Sequence, residues 1–359
     1  IIGEAPGEEE DRKGTQFVGK SGHVLRKMMK QAGIKLDDCW RHNALACRPP
    51  ENRKPTDAEI TYCRPNALNA IKELNPWLII PLGAAAVQSI LPWLWDKPDS
   101  SPGGITRWAG YRIPHQKRNC WICPTFHPSF VMREQHAKQP NPVPELLMRK
   151  HLKAIGKLTG RPWKKKPKWK DSIELIKSPD KAARILKEIR KAGGPIAFDY
   201  ETNMLKPDGK DARIVSCSVC HKGERTIAYP WHGDAIKETS KLLKSDCPKI
   251  AANLKFEERW SRAKLGHGVS NWAHDTMLAA HILDNRPSSN SLDFLAFVHF
   301  GVEDYSSHVS EFLKSKKGHK VNRILKSIGI DDLLLYNGYD SLLEYKLAML
   351  QMKQLGRKL

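Results

Sequence analysis

The sequence has 359 residues, 40% of them apolar, with 60 Lys/Arg against 39 Asp/Glu and a formal net charge of +21. That length suits two domains, each large enough for its own core. No run of about 18 apolar residues is present to span a bilayer as a helix, which argues against a membrane protein of that kind.

The charge is unevenly spread. Residues 1–170 hold 30 Lys/Arg against 15 Asp/Glu, whereas residues 171–359 hold 30 against 24, and the stretch 151–170 has eight basic residues and no acidic one. A polyanionic partner is the natural reading, because each phosphate neutralised by Lys or Arg releases counterions. No secretory signal opens the sequence, and residue 1 is not methionine, so an amino-terminal truncation is the expectation. In that setting the eight cysteines read as metal ligands or core residues rather than as disulfides.

In chain order, Leu25, Met28 and Met29 give one apolar face to a helix from about Gly22 to Ala32. Asp57–Leu74 follows as a longer amphipathic helix with an acidic first turn. The apolar run Trp77–Leu82 predicts a buried strand that meets Gly83 and a second helix. Asn119–Cys123 predicts another short strand, leading into His127. Strands alternating with helices imply a parallel α/β sheet. Thr159–Lys170 has two prolines, two tryptophans and no apolar periodicity, and reads as an interdomain linker. Its lysines interleaved with Trp163 and Trp169 also suit a nucleic-acid backbone with stacked bases.

A second α/β unit begins with Ser178 capping a helix that carries Pro at its first position and runs to Ala192, where Gly193-Gly194 ends it. Pro195–Asp199, Ile214–Cys220 and Thr226–Pro230 predict a three-strand meander. Helices then dominate, the last over about Asp331–Leu355. The expected domains are therefore 1–158, a linker 159–171, and 172–359.

Two constellations carry chemistry. At the start, Gly3-Glu4-Ala5-Pro6-Gly7 makes a tight turn that lets a ligand approach the backbone, with a carboxylate held in it. Near the other end, Asp199 and Glu201 lie two apart on a strand and so share a face. Tyr336 and Asp340 lie four apart on a helix and do the same. Paired carboxylates in such positions suit divalent metal binding for phosphoryl transfer. Cys120/Cys123 and Cys217/Cys220 have zinc-like spacing, but on strands residues three apart point to opposite faces, so core thiols are expected.

Gly3–Gly19 with its Phe17, then Asn43, then Cys47–Pro55, then His127-Pro128-Ser129 through Arg133, resembles the family 4 uracil-DNA glycosylases in order and spacing over about 1–155. The resemblance implies a three-layer α/β domain with a parallel sheet. It implies that Phe17 stacks on a flipped base, Asn43 reads the edge of uracil, and His127 donates to O2. Glu4 would orient water or stabilise the positive sugar, Glu10 would crowd C5, and Met132 and Arg133 would wedge the duplex. Cys47 and Cys63 match the last two of the family's iron–sulfur ligands. The first two lie upstream of the Gly-Glu-Ala-Pro-Gly motif, where this sequence has no residues, so a [4Fe–4S] cluster is expected only if upstream cysteines complete the set.

Phe198–Thr202, Asn253–Glu257, His274–Met277 and Tyr336–Asp340 resemble the DEDD-type 3′→5′ exonucleases, specifically the proofreading domain of DNA polymerase I-like enzymes, over about 172–358. The implied fold is RNase H-like α/β with a mixed sheet. Asp199, Glu201, Glu257 and Asp340 would hold two Mg²⁺ or Mn²⁺ ions, and Tyr336 would orient the attacking water. Glu257 stands where the family usually has aspartate, one methylene longer. Asp275 is expected to play a structural part.

Together the halves resemble the amino-terminal part of certain bacteriophage DNA polymerases. The implied partners are single-stranded 3′ ends of DNA, uracil-containing DNA, and a polymerase domain or subunit, with no membrane. The implied location is the cytoplasm of a bacterial host. The reading from a different class is a non-catalytic DNA-binding, uracil-sensing accessory module.

Overall fold

The computed structural model describes residues 1–97, 101–314, 321, 322, 324 and 328–358. The chain forms two compact units, one made of 1–166 with 297–304, the other of 167–296 with 305–359. No described helix is long and apolar enough to cross a membrane.

The first unit is built on short strands: β1 (Ile2–Gly3), β2 (His42–Asn43), β3 (Leu78–Ile79), β4 (Ile113–His115) and β5 (Cys120–Ile122). β1 pairs β2 in parallel, and β3 pairs β5 in parallel. Main-chain bonds from Ile2 N to Ile80 O (3.0 Å) and from Leu82 N to Ile2 O (2.8 Å) join the two ladders. The sheet therefore reads β2-β1-β3-β5-β4. The one departure from an all-parallel expectation is β4, which pairs β5 antiparallel. A tight reversal with Asn119 at φ +50° makes that hairpin, and Asn tolerates the left-handed region better than most residues.

The helix Asp57–Leu74 has the predicted limits, because Thr56 and Glu59 form a reciprocal capping box at its start and Asn75 turns left-handed at its end. Leu25, Met28 and Met29 of the helix Lys20–Gln31 bury against Met148 and Leu152 of the helix Val143–Ile155. Phe297, which the sequence assigned to the second domain, stacks on Trp95 at 5.1 Å within the first unit. The basic stretch is also held there over its first part. Arg161 donates to the Asn75, Arg118 and Asn119 carbonyls, and Trp163 donates to the Pro114 carbonyl through its indole N–H.

The second unit is a six-stranded mixed sheet: β6 (Ile173–Leu175), β7 (Ile196–Thr202), β8 (Ile214–His221), β9 (Arg225–Pro230), β10 (Lys249–Ala251) and β11 (Trp272–Asp275), in the order β11-β10-β7-β8-β9-β6. β7, β8 and β9 form the predicted antiparallel meander, while β10 and β11 run parallel to β7. Ser178 caps the helix Pro179–Ala192 as its sequence requires. Phe198, Tyr200 and Cys217 enter one core, and Ala197 and Cys220 enter another with Leu342 and Tyr345 of the long helix Ile330–Gln354. The two cysteines three apart on β8 thus face opposite sides of the sheet, and both are fully buried. Gly338 lets the long helix approach β6, since a Cβ there would sit 2.4 Å from Ile173 Cγ2.

Candidate active sites

In the second unit the strand alternation that sends Phe198 and Tyr200 into the core turns Asp199 and Glu201 to the other face of β7. There they meet Asp340 of the long helix, and carboxylate oxygens of the three lie within 4.8 Å of one another. Asn337 fixes the helix in register. Its amide donates to Asp199 Oδ2 at 2.6 Å, its Oδ1 accepts from Ser216 Oγ at 3.1 Å, and its carbonyl accepts from Ser218 Oγ at 2.7 Å. The Tyr305 hydroxyl donates to Asp340 Oδ1 at 2.7 Å, and its ring stacks on that of Tyr336 at 6.0 Å.

Glu257 enters from the first turn of the helix Lys255–Leu265 and is 2% exposed, with its Oε2 lacking a hydrogen-bond partner among the described residues. Asp275 does structural work. It caps the helix Thr276–Leu283 and accepts the Asn253 and Leu254 N–H groups, fixing the turn that leads to Glu257. Glu344, one helical turn beyond Asp340, is also buried and also leaves its Oε2 without a partner among the described residues.

Burial raises Asp199, Glu201, Glu257, Asp340 and Glu344. Asp199 is pushed up to about 7, opposed by its bonds from Asn337 and the Tyr200 N–H. Glu201, Glu257, Asp340 and Glu344 are raised well above the usual carboxylate range, by burial first and then by the charge of Asp199. Such a basin must be protonated or neutralised by cations, since isolated buried carboxylates are strongly disfavoured. An all-oxygen donor set is what Mg²⁺ and Mn²⁺ take, so the residues present fit divalent ions.

In the first unit, Glu4, Glu10, Phe17, Asn43, His127 and Arg133 line one cavity of about 190 Å³. It opens beyond the carboxyl ends of the parallel strands β1 and β2, the edge where open α/β sheets bind ligands. Gly3 is required here, because a Cβ would lie 2.5 Å from Asn43 Oδ1 and 2.9 Å from Phe17 Cζ. Glu10 Oε1 accepts the Gly19 N–H at 2.7 Å. His127 caps the helix Pro128–Gln135 by accepting the Ser129 N–H at Nδ1 (3.3 Å). Nδ1 is therefore the unprotonated nitrogen, and Nε2 carries the hydrogen. Burial, with Arg133 nearby, lowers His127 to about 4, so the ring is neutral at pH 7. Burial raises Glu4, opposed by Arg133 and Lys54. Met132 lies outside this cavity, lining a neighbouring hollow with Ser21, Arg133 and His136.

Cys47 is exposed, Cys63 is partly buried, and both are free thiols. Among the described residues no group of three or more cysteines gathers. Two thiolates do not make the four that a [4Fe–4S] cluster takes, so the residues present do not by themselves fit that group.

Residues 1–149 match the uracil DNA glycosylase superfamily, and residues 173–351 match a 3′-5′ exonuclease family. A type-4 uracil-DNA glycosylase of Archaeoglobus fulgidus is 32% identical over 163 residues, covering 45% of this chain and 76% of that protein. The chain belongs to the type-4 uracil-DNA glycosylase family. A second member of that family, from Thermotoga maritima, is 35% identical over 135 residues, 38% of this chain, and the chain spans 66% of its length. The glycosylase-family domain is followed by a domain of the 3′-5′ exonuclease family. A DNA polymerase of Bacillus phage SP01 is similar across both, 27% identical over 322 residues, 80% of this chain and 32% of that protein.

The residues that sequence reading missed are Asn337, Tyr305 and Glu344. Glu344 had a signal, being four residues after Asp340 on a helix. Asn337 had only its place beside Tyr336. Tyr305 had none, as its partner lies 35 residues away.

Proposed function

We propose that the chain is a DNA-processing enzyme. The exonuclease-family domain removes nucleotides from 3′ ends with divalent metal ions, the glycosylase-family domain inspects or excises uracil, and both serve a bacteriophage replication polymerase in the cytoplasm of its host. The observation that carries the first part is the acidic basin. Three carboxylates converge within 4.8 Å, and two further buried ones each have an unpartnered oxygen. A module that merely held DNA would gain nothing from that arrangement, which costs stability without a cation.

In this reading Asp199, Glu201, Glu257 and Asp340 would hold two Mg²⁺ or Mn²⁺ ions, which would supply charge stabilisation for phosphoryl transfer. Tyr336 orients the water, Asn337 holds Asp199, and Tyr305 holds Asp340. In the other domain Phe17 stacks on the flipped base and Asn43 reads its edge. His127 donates from Nε2–H to O2 as negative charge builds on the base, and Glu4 faces the positive sugar. Glu10 crowds C5, while Met132 and Arg133 contact the distorted strand. Cys47 and Cys63 would be half of an iron–sulfur ligand set. The functional limits are taken as 1–158 and 172–359, with 159–171 between them.

The test is release of mononucleotides from 3′-labelled single-stranded DNA with Mg²⁺ or Mn²⁺ and with EDTA. Metal-dependent shortening from the 3′ end is expected. No release with either ion contradicts the reading.

A further inference from the structure

The four carboxylates assigned above do not exhaust the acidic basin. Glu344 lies one turn beyond Asp340 on the long helix, so the two share a face. Its Oε1 accepts the Ala252 N–H at 3.1 Å, which places the carboxylate at the end of β10, on the turn that leads to Glu257. β10 runs alongside β7, the strand that carries Asp199 and Glu201. Glu344 is 1% exposed and Glu257 2%, and each keeps one oxygen with no hydrogen-bond partner among the described residues.

An amide would serve the Ala252 bond equally well, so that bond does not account for a charge. A buried polar atom without a partner is destabilising, more so if charged, and such an atom in a native structure calls for a specific explanation, an ion among them. Two such oxygens, from Glu257 and Glu344, occur beside a triad suited to divalent cations. We propose that Glu344 is a fifth metal-binding carboxylate, which together with Glu257 forms the second cation position of the basin. The proposal rests on the exonuclease reading. It gives the longer Glu257 arm a partner, since a cation between two glutamates can be held from both sides.

The test is Mn²⁺ binding to the full chain, by titration calorimetry with electron paramagnetic resonance of the free ion, for the wild type, Glu344→Gln and Glu344→Asp. Gln keeps the acceptor for Ala252 N–H and removes the charge. The wild type is expected to bind two ions. Glu344→Gln should weaken the weaker ion by at least about tenfold and leave the tighter one within about twofold, with an unchanged fold by circular dichroism. Glu344→Asp, which keeps the charge, should bind that ion better than Glu344→Gln. An unchanged isotherm in Glu344→Gln overturns the proposal and leaves the exonuclease reading standing. A wild type that binds no Mn²⁺ overturns both. Should Glu344→Gln fail to fold, full retention of the second ion in Glu257→Gln overturns it as well, because the proposal places that ion between the two glutamates.

Discussion

Asn337 donates its side-chain amide to Asp199 Oδ2 at 2.6 Å while its own Oδ1 accepts from Ser216 Oγ, so one buried side chain ties the long helix to the strand that carries the acidic pair. Asn337→Ala leaves Asp199 and Ser216 each short of a partner. It should destabilise the metal-free chain by about 1–3 kcal/mol and lower the rate of 3′-end release by about tenfold or more. Thermal unfolding and release from labelled DNA check the two effects.

The acidic basin makes metal-free stability depend on pH. Asp199 rises from an ordinary carboxylate value to about 7 in the folded chain, and its neighbours are raised further. Between those values the folded state binds more protons than the unfolded one, so this contribution is present at low pH and lost as pH rises through about 4 to above 7. Metal binding should run the other way, tightening as pH rises because the ion displaces protons. Unfolding midpoints at pH 5 and pH 8, with EDTA and with Mg²⁺, check this. The basin should lower the EDTA midpoint at the higher pH, and Mg²⁺ should close most of that gap.

For the glycosylase-family domain, Gly3→Ala should remove uracil recognition without unfolding the chain, because the new Cβ collides with Asn43 and Phe17, the two side chains assigned to the base. Binding of uracil-containing DNA should fall at least about tenfold, with 3′-end release within about twofold of wild type.

His127, lowered to about 4 by burial, is neutral across the physiological range, and Nε2–H is its free donor. Abasic-site formation should therefore show no loss attributable to this ring between pH 6 and pH 8, and His127→Ala should cut it about a hundredfold, the scale of one lost transition-state donor. The assay needs an exonuclease-dead background so that degradation does not hide the product.

Local rules made much of the fold legible. The acidic first turn of the helix Asp57–Leu74, Ser178-Pro179 and the alternation along β7 each mark an element's limits or facing before any packing is considered. The two-residue period of a strand puts Asp199 and Glu201 on one face, and the four-residue spacing of a helix does the same for Tyr336 and Asp340, whereas Glu257 is singled out only by the family resemblance. What stayed hidden depends on distant partners. Tyr305 reaches Asp340 only through the fold, β4 forms a hairpin on Asn119, and Phe297 packs beside Trp95. The basic stretch reads as a linker because it lacks periodicity, and Arg161 and Trp163 hold its first part through backbone carbonyls, which leave no pattern in side-chain polarity.

The most direct test of the central claim compares wild type with the Asp199→Ala/Glu201→Ala double variant on 3′-labelled single-stranded DNA in Mg²⁺, with binding measured on the same substrate. Removing two metal-binding carboxylates forfeits several kcal/mol of transition-state charge stabilisation. Release should therefore fall by about a thousandfold or more at about 1.4 kcal/mol per tenfold, while DNA affinity stays within about threefold. Undiminished release by the double variant would contradict the account.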